Sequence, residues 1–306
     1  MRNATSSLAG KCHTVRLLGA IPITVLVMVF FLADGIKQAM AGDMRNQDDL
    51  VSKVAVVDMP KATVTSVDGN SIPSTETLLG QAKQRVRPRS ADIAALREKY
   101  RLDPVTFLSL VPRMKACSQE ALPIEPAWQL GQLPQGQERV VQMQTIQKLV
   151  FDEEDKILPA ALMWLATSNR QALDEAKRRA LNLASWNPRG ATGYRSHDQA
   201  ARSIAWTLAL AYDWLYPEFD EGERAQLVVA IGDRLKDIMG KGPYGLDDGR
   251  KLDAMPYDSH GAVTLARVSA ICTVMAGVSP QFDGCFRDTV PRYLKRPVPW
   301  GGDDGG

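Results

Sequence analysis

Residues 198–223 read DQAARSIAWTLALAYDWLYPEFDEGE, and this stretch sets the architecture of the chain. Ile204, Leu208, Tyr212 and Leu215 recur every three or four residues, the spacing of one helix face. Pro217 stops that helix, because proline has no N–H to donate and its ring collides with the preceding turn. Asp220 then offers a side-chain acceptor to the start of a new helix. Glu223 stands three residues on, which makes the pair a capping box. Ala200, Ala201, Ala205, Ala209 and Ala211 keep the first helix slim, so neighbouring helices can approach it closely. The stretch therefore reads as two helices joined by a short turn.

The same pattern extends in both directions. Ser90-Ala91-Asp92 opens a helix carrying Ile93, Leu96 and Tyr100. A stretch around Thr106 to Cys117 is expected to be kinked or split at Pro112. Gln135 to Val150 places Val140, Met143, Ile146 and Val150 on one face, and Lys156 to Ala166 repeats the pattern with Ile157, Ala161, Trp164 and Leu165. Gln171 to Ala184 carries Leu173, Ala176, Ala180 and Leu183. The helix after Asp220 carries Leu227, Ile231, Leu235 and Ile238 and stops at Gly240. Gly261 to Ala276 carries Leu265, Val268, Cys272 and Met275, and a short helix follows from about Phe286 to Leu294. No stretch after Ser90 alternates as a strand does. The expected fold is all-α, with successive helices packed as antiparallel hairpins. An (α/α) toroid, a bundle and a solenoid all satisfy this periodicity.

The N-terminal part differs. Lys11 and Arg16 precede an apolar run from Leu17 to Ala33, and Ala39-Met40-Ala41 fits a small-x-small cleavage site. Residues 1–41 are expected to be a signal peptide, or a retained membrane anchor through 17–33, a run slightly short of the roughly 20 residues of a spanning helix. Either places the rest outside the cytoplasm. From 42 to 89, Thr, Ser, Val, Asp and Gly dominate, and the segment reads as a linker or extended, disordered arm.

Composition excludes some functions. The chain has 306 residues, 45% hydrophobic and 24% charged, with a formal net charge of +2, an ordinary globular balance. Arg2, Lys11, Arg16 and Lys37 outnumber Asp34 within residues 1–41, so the remainder is slightly acidic. Such a balance does not point to nucleic acid. Of four cysteines, Cys12 falls in the leader. Cys272 and Cys285 flank a turn and can approach to form a disulfide, or stand as buried thiols. No Cys/His spacing suggests zinc, and neither a metal nor another cofactor is expected.

Chemically capable residues gather in two loops. The first spans Met255-Pro256-Tyr257-Asp258-Ser259-His260-Gly261, with Pro299-Trp300-Gly301-Gly302-Asp303-Asp304-Gly305-Gly306 beyond the helices that follow it. His260 can transfer a proton near neutral pH or donate to a carboxylate. Its alternative is a helix-start histidine that caps or fills space. Tyr257 can donate a proton. Asp258 can orient His260 or act as an N-cap. Asp303 and Asp304 suit acid/base work or cation binding, or simply form a turn, and Trp300 among glycines suits stacking on a sugar. The second loop, Trp186 to Arg195, combines Trp186, Asn187, Arg189, Tyr194 and Arg195. Its two arginines can grip a carboxylate or sulfate, so it reads as a surface for acidic sugar or as a connecting turn. His197 precedes a helix and is expected to cap or pack.

Taken in order, four motifs resemble the heparinase II/III-like polysaccharide lyases. They are Trp186-Asn187-Pro188-x-Gly, Ala211-Tyr212-Asp213-Trp214-Leu215-Tyr216, Asp258-Ser259-His260-Gly261 and Pro299-Trp300-Gly301-Gly302-Asp303-Asp304. Val86-Arg87-Pro88-Arg89 is similar to the segment that opens the helical domain of that family. The resemblance spans roughly residues 85–300. It implies an α/α toroid over 90–306, incomplete in this chain, followed in the family by β-sheet domains. It also implies cleavage of an acidic, uronate-containing polysaccharide by β-elimination. His260 corresponds to the toroid histidine. Trp300 and Asp303/Asp304 correspond to the loop before a catalytic tyrosine expected after Gly306, so the chain alone is expected to be inactive. Two positions depart from the family: Val263 stands where heparinase II-like sites have glutamate, and Asp258 and Ser259 stand where many relatives have asparagine before the histidine. Two rival functions fit the same residues. One is a glycoside hydrolase using Asp258 and Asp303 or Asp304, the other a non-catalytic glycan-binding protein of envelope polysaccharide assembly.

Overall fold

The structure is a computed structural model, and it describes residues 73–84, 87–88, 90–102, 104, 120–126, 136–240 and 259–294. All of them fall within one unit, Ser71–Gly306. The described residues are mostly helical and contain no strand. The leader at 1–41, most of the arm at 42–89 and the expected helix at Thr106–Cys117 lie outside them. Among the described residues, no helix is long and apolar enough to cross a membrane.

Among the described residues, eight α-helices follow in order: α1 Thr75–Lys83, α2 Ser90–Leu102, α3 Gly136–Thr167, α4 Arg170–Ala184, α5 Asp198–Trp214, α6 Glu221–Met239, α7 Ser259–Met275 and α8 Pro280–Leu294. A short 3₁₀ turn, Tyr216–Glu218, holds Pro217. The capping box is present. Asp220 Oδ1 accepts from the Glu223 N–H at 2.8 Å, and the Glu223 carboxylate accepts from the Asp220 N–H at 2.9 Å.

The centre of the fold is α5, whose residues are all buried from Ala200 to Asp213. It packs against α3, α4, α6 and α7. A helix with neighbours on every side cannot carry bulk all round, which is why its faces are alanine-rich. The larger side chains Ile204 and Leu208 are fully buried, as are Leu183, Leu227, Ile231, Val268 and Ile157 around them. Each such aliphatic side chain contributes about 1.5–3 kcal/mol by leaving water.

Side-chain contacts fix the directions. Met143 and Gln147 of α3 bond His197 and Gln199 at the start of α5, so α3 and α5 run parallel. Arg202 and Ser203 of α5 pair with Thr264 and Arg267 of α7, so α7 runs the same way. Lys177 and Leu181 of α4 meet Glu223 and Gln226 of α6, which makes that pair parallel too. Within the hairpins, Glu153 of α3 meets Arg179 of α4, and Cys272 of α7 meets Cys285 of α8, both antiparallel. Five of the helices thus fall into two parallel sets, α3, α5 and α7 as one layer of neighbours and α4 and α6 as another.

Several expectations are corrected. The two helices expected over Gln135–Val150 and Lys156–Ala166 are one from Gly136 on, α3, with Pro159 inside it. The charged run Asp152–Lys156 does not break it, because its glutamates and lysine favour helix and Glu153 is buried against α4. Val140, assigned to the buried face, is 45% exposed. Residues 136–141 are all exposed, so the start of α3 projects from its neighbours. The last helix starts at Pro280 rather than Phe286; proline suits a first helical position, where its missing N–H costs nothing. Residues Thr75–Lys83, inside the expected arm, are helical. Ser74 caps them, Leu79 is buried, and α1 packs on α7 and α8. Lys83 pairs with Asp283 at 2.5 Å, and Arg287 bonds Glu76 at 2.6 Å.

Cys272 and Cys285 are joined by a disulfide with Cα atoms 5.8 Å apart. It closes a short loop through Gly277, whose φ of +81° reverses the chain after α7. Constraining a loop of this size in the unfolded chain stabilises by about 2–3 kcal/mol. Reduction with a strong thiol reductant, or a Cys272→Ala/Cys285→Ala double variant, is expected to lower the chemical-denaturation midpoint accordingly. An unchanged midpoint in both would show that the bridge does not stabilise the domain.

Candidate functional site

The loop from Trp186 to Ser196 joins α4 to α5 and is tightly built. Successive turns close through Gly190 N–H to Asn187 carbonyl, Gly193 N–H to Gly190 carbonyl and His197 N–H to Gly193 carbonyl, at 3.0, 3.0 and 2.8 Å. The Asn187 side chain accepts from the Arg189 N–H at 2.9 Å, and the Asn187 N–H donates to Glu125 at 2.7 Å. A Cβ on Gly193 would collide with the Pro188 carbonyl, so glycine is required there. Beneath the loop lies Arg234 of α6, only 1% exposed. It donates to the Thr192 carbonyl at 3.0 Å and the Trp186 carbonyl at 3.3 Å. Burial pulls the pKa of its guanidinium down to about 10, with Glu125 and Asp237 opposing, so it stays charged at neutral pH.

This framework sorts the expected binding residues. Trp186 and Tyr194 are buried, at 3% and 7% exposure, and serve the loop's own packing more than an open surface. Asn187, Arg189 and Arg195 are exposed. Pro188, Arg189, Gly193, Tyr194, Arg195 and Ser196, with Asp237 of α6, line a depression of about 330 Å³. A second depression of about 420 Å³ lies on the Trp186–Pro188 side, against Val229 and Asp233.

His197 caps α5, as its position before the helix led one to expect. Its Nδ1 accepts from the Ala200 N–H at 3.3 Å, which leaves Nε2 to donate to the Met143 carbonyl at 2.9 Å. Burial, the dominant effect, lowers its pKa from the ordinary 6.5, so the neutral ring is favoured. The stability this contributes is present above pH 6.5 and lost as pH falls through the lower folded value. His197→Asn keeps a cap but removes the titration. The wild type is expected to lose thermal stability below about pH 6.5 relative to His197→Asn. Parallel melting-temperature curves from about pH 7.5 to 5 would refute this.

A second polar constellation lies along the α3–α5–α7 layer. Arg202 donates to Asp198 at 2.8 Å and to the Thr264 hydroxyl. Arg267 donates to the Ser203 hydroxyl at 2.7 Å. Glu154 of α3 is half-buried beside them. Burial raises its carboxyl above the ordinary range, and the Arg267 charge and the Ser203 and Thr207 hydroxyls pull it back. Burial without a full ion pair is what moves a carboxyl in this direction. Sequence reading missed this group. Its signal was a line of polar residues, Arg202, Ser203 and Thr207, on an otherwise apolar helix, matched by Thr264 and Arg267 on the next.

Among the expected catalytic residues, His260 is the second residue of α7, in its first turn. Tyr257 and Asp258, like Trp300, Asp303 and Asp304, lie outside the described residues. Because α5 and α7 run parallel in one layer, the first turn of α7 stands at the same end as the Arg189–Arg195 loop that leads into α5. Among the described residues, no group of His, Cys, Asp or Glu is placed to hold a metal ion. In comparisons with known proteins, no family model matches the chain and no curated protein sequence matches it significantly.

Proposed function

We propose that this chain carries the helical domain of an exported polysaccharide lyase that cleaves a uronate-containing glycan by β-elimination. The observation that carries the reading is the shared end of the layer: the turn bearing His260 and the arginine-bearing loop lie at one rim, from two different hairpins. The resemblance of the motifs to heparinase II/III-like lyases supplies the chemistry. The uronate carboxylate must be neutralised so that the C5 proton becomes acidic. A base removes that proton, and the C4–O4 bond breaks as an acid protonates the departing oxygen. His260 would neutralise the carboxylate or assist as base, with Tyr257 and Asp258 beside it in sequence.

The alternation of the helices supports an α/α toroid. Parallel neighbours in one layer, tied to a second layer by antiparallel hairpins, are what such a ring repeats. The Cys272–Cys285 bridge supports export, since disulfides persist in oxidising compartments.

The test is to incubate the protein, expressed from its complete reading frame, with uronate-containing polysaccharides. Chain cleavage with an ultraviolet-absorbing unsaturated uronate at the new end is the expected product, and His260→Ala is expected to abolish it. Saturated products would transfer the reading to hydrolysis. No cleavage of any uronate polymer would sink it.

A further inference from the structure

The depression between the 188–196 loop and α6 carries a mixed set of charges, which distinguishes it from a general anion patch. Arg189 and Arg195 are exposed on a loop held rigid by Arg234, Glu125 and its own turns. Among the described residues, no hydrogen bond or ion pair occupies either guanidinium. Facing them in the same depression is Asp237 of α6, half-buried, with no ion pair to a described residue. The Ser196 side also opens onto it. Two donor forks and one acceptor-only carboxylate thus line one cavity of about 330 Å³, at the small end of ligand-pocket sizes of about 300–1,000 Å³.

We infer that this depression is a subsite for one uronate residue of the glycan, with Arg189 and Arg195 on its carboxylate and Asp237 on its ring hydroxyls. A fully ionised inorganic anion such as sulfate offers only acceptors, so Asp237 repels it. A neutral sugar offers donors to Asp237 but leaves both guanidinium forks without an anion. A uronate presents both functions on one ring. Arginine binds a carboxylate through two parallel N–H bonds, and a carboxylate accepts from hydroxyl donors. The rigid loop fixes the backbone from which the two arginines extend, so only their side chains are ordered on binding. The subsite rests on the lyase reading only for the glycan class. It binds substrate and takes no part in the proton transfers.

The experiment is calorimetric titration of the full chain with oligouronates of galacturonate, mannuronate and glucuronate type, with their carboxyl-reduced neutral counterparts and with inorganic sulfate. At least one oligouronate is expected to bind, and Arg189→Ala and Arg195→Ala each to weaken it about tenfold. Neither arginine holds the fold, so melting temperatures are expected to match the wild type. Asp237→Asn is expected to lower the ratio of uronate to sulfate affinity. The inference is overturned if no oligouronate binds, if the arginine variants bind it as the wild type does, if the carboxyl-reduced sugar binds equally well, or if Asp237→Asn leaves the ratio unchanged. Oligouronate binding without unsaturated product would defeat the lyase reading and leave the subsite standing.

Discussion

Arg179→Ala is expected to destabilise the helical domain by about 4 kcal/mol. The Arg179 side chain is fully buried between α3 and α4. Its Nη1 donates to Glu153 at 2.7 Å and its Nε to Glu175 at 2.5 Å, and both carboxylates are themselves buried. Lys156 sits 3.5 Å from Glu153 and 2.5 Å from Glu120, and Arg178 forks onto Glu175 at 2.9 and 3.1 Å. Three carboxylates and three cations thus form one network. Removing its central guanidinium leaves Glu153 facing Glu175 in a site closed to water, with a cavity as well. A Glu153→Gln/Arg179→Met/Glu175→Gln triple variant, which removes all three buried charges, is expected to recover most of the loss. Urea unfolding of both variants checks this, with Arg170→Ala as control. Arg170 is an exposed partner of Glu218, and its loss is expected to cost under about 1 kcal/mol. A shift of Arg179→Ala no larger than that of the control would mean that the network does not hold α3 to α4.

Arg234→Ala is expected to cost about 3 kcal/mol, because the Trp186 and Thr192 carbonyls lose their only described side-chain donor inside the protein and a long side chain leaves a void. The effect should be local as well as global. With its anchor gone, the 186–196 loop should exchange its amide hydrogens faster, and Trp186 fluorescence should shift to the red as its ring meets water. Arg234→Met restores volume but not the donors, so it is expected to recover part of the stability and none of the loop protection. Equal amide protection in wild type and Arg234→Met would show that the loop is held by its turns and Glu125 alone.

The two arginines illustrate where the sequence was legible. Helix faces were readable because burial selects apolar residues at a fixed period: Leu173, Ala176, Ala180 and Leu183 are buried as their spacing implied, as are Leu227, Ile231, Leu235 and Ile238. The Asp220–Glu223 capping box was readable because its two bonds are local. Arg179 and Arg234 were not. A charged residue within a helix usually faces water; Arg179 has a local partner in Glu175, but its burial is completed by Glu153, 26 positions away, and that of Arg234 by Thr192, 42 positions away. Trp186 and Tyr194 were grouped with the exposed arginines of their loop, although their rings pack inward, because loop composition does not say which side of a turn faces the core.

The all-helical fold, the place of the hairpins and the alanine-lined central helix followed from periodicity and caps, which are set by interactions within a few residues. The parallel course of α3, α5 and α7, the burial of the Glu153–Arg179–Glu175 network and the meeting of Arg189 and Arg195 with Asp237 at one depression did not. Those depend on which distant helices become neighbours, and that is decided by how many apolar faces and buried charges can be satisfied at once in three dimensions.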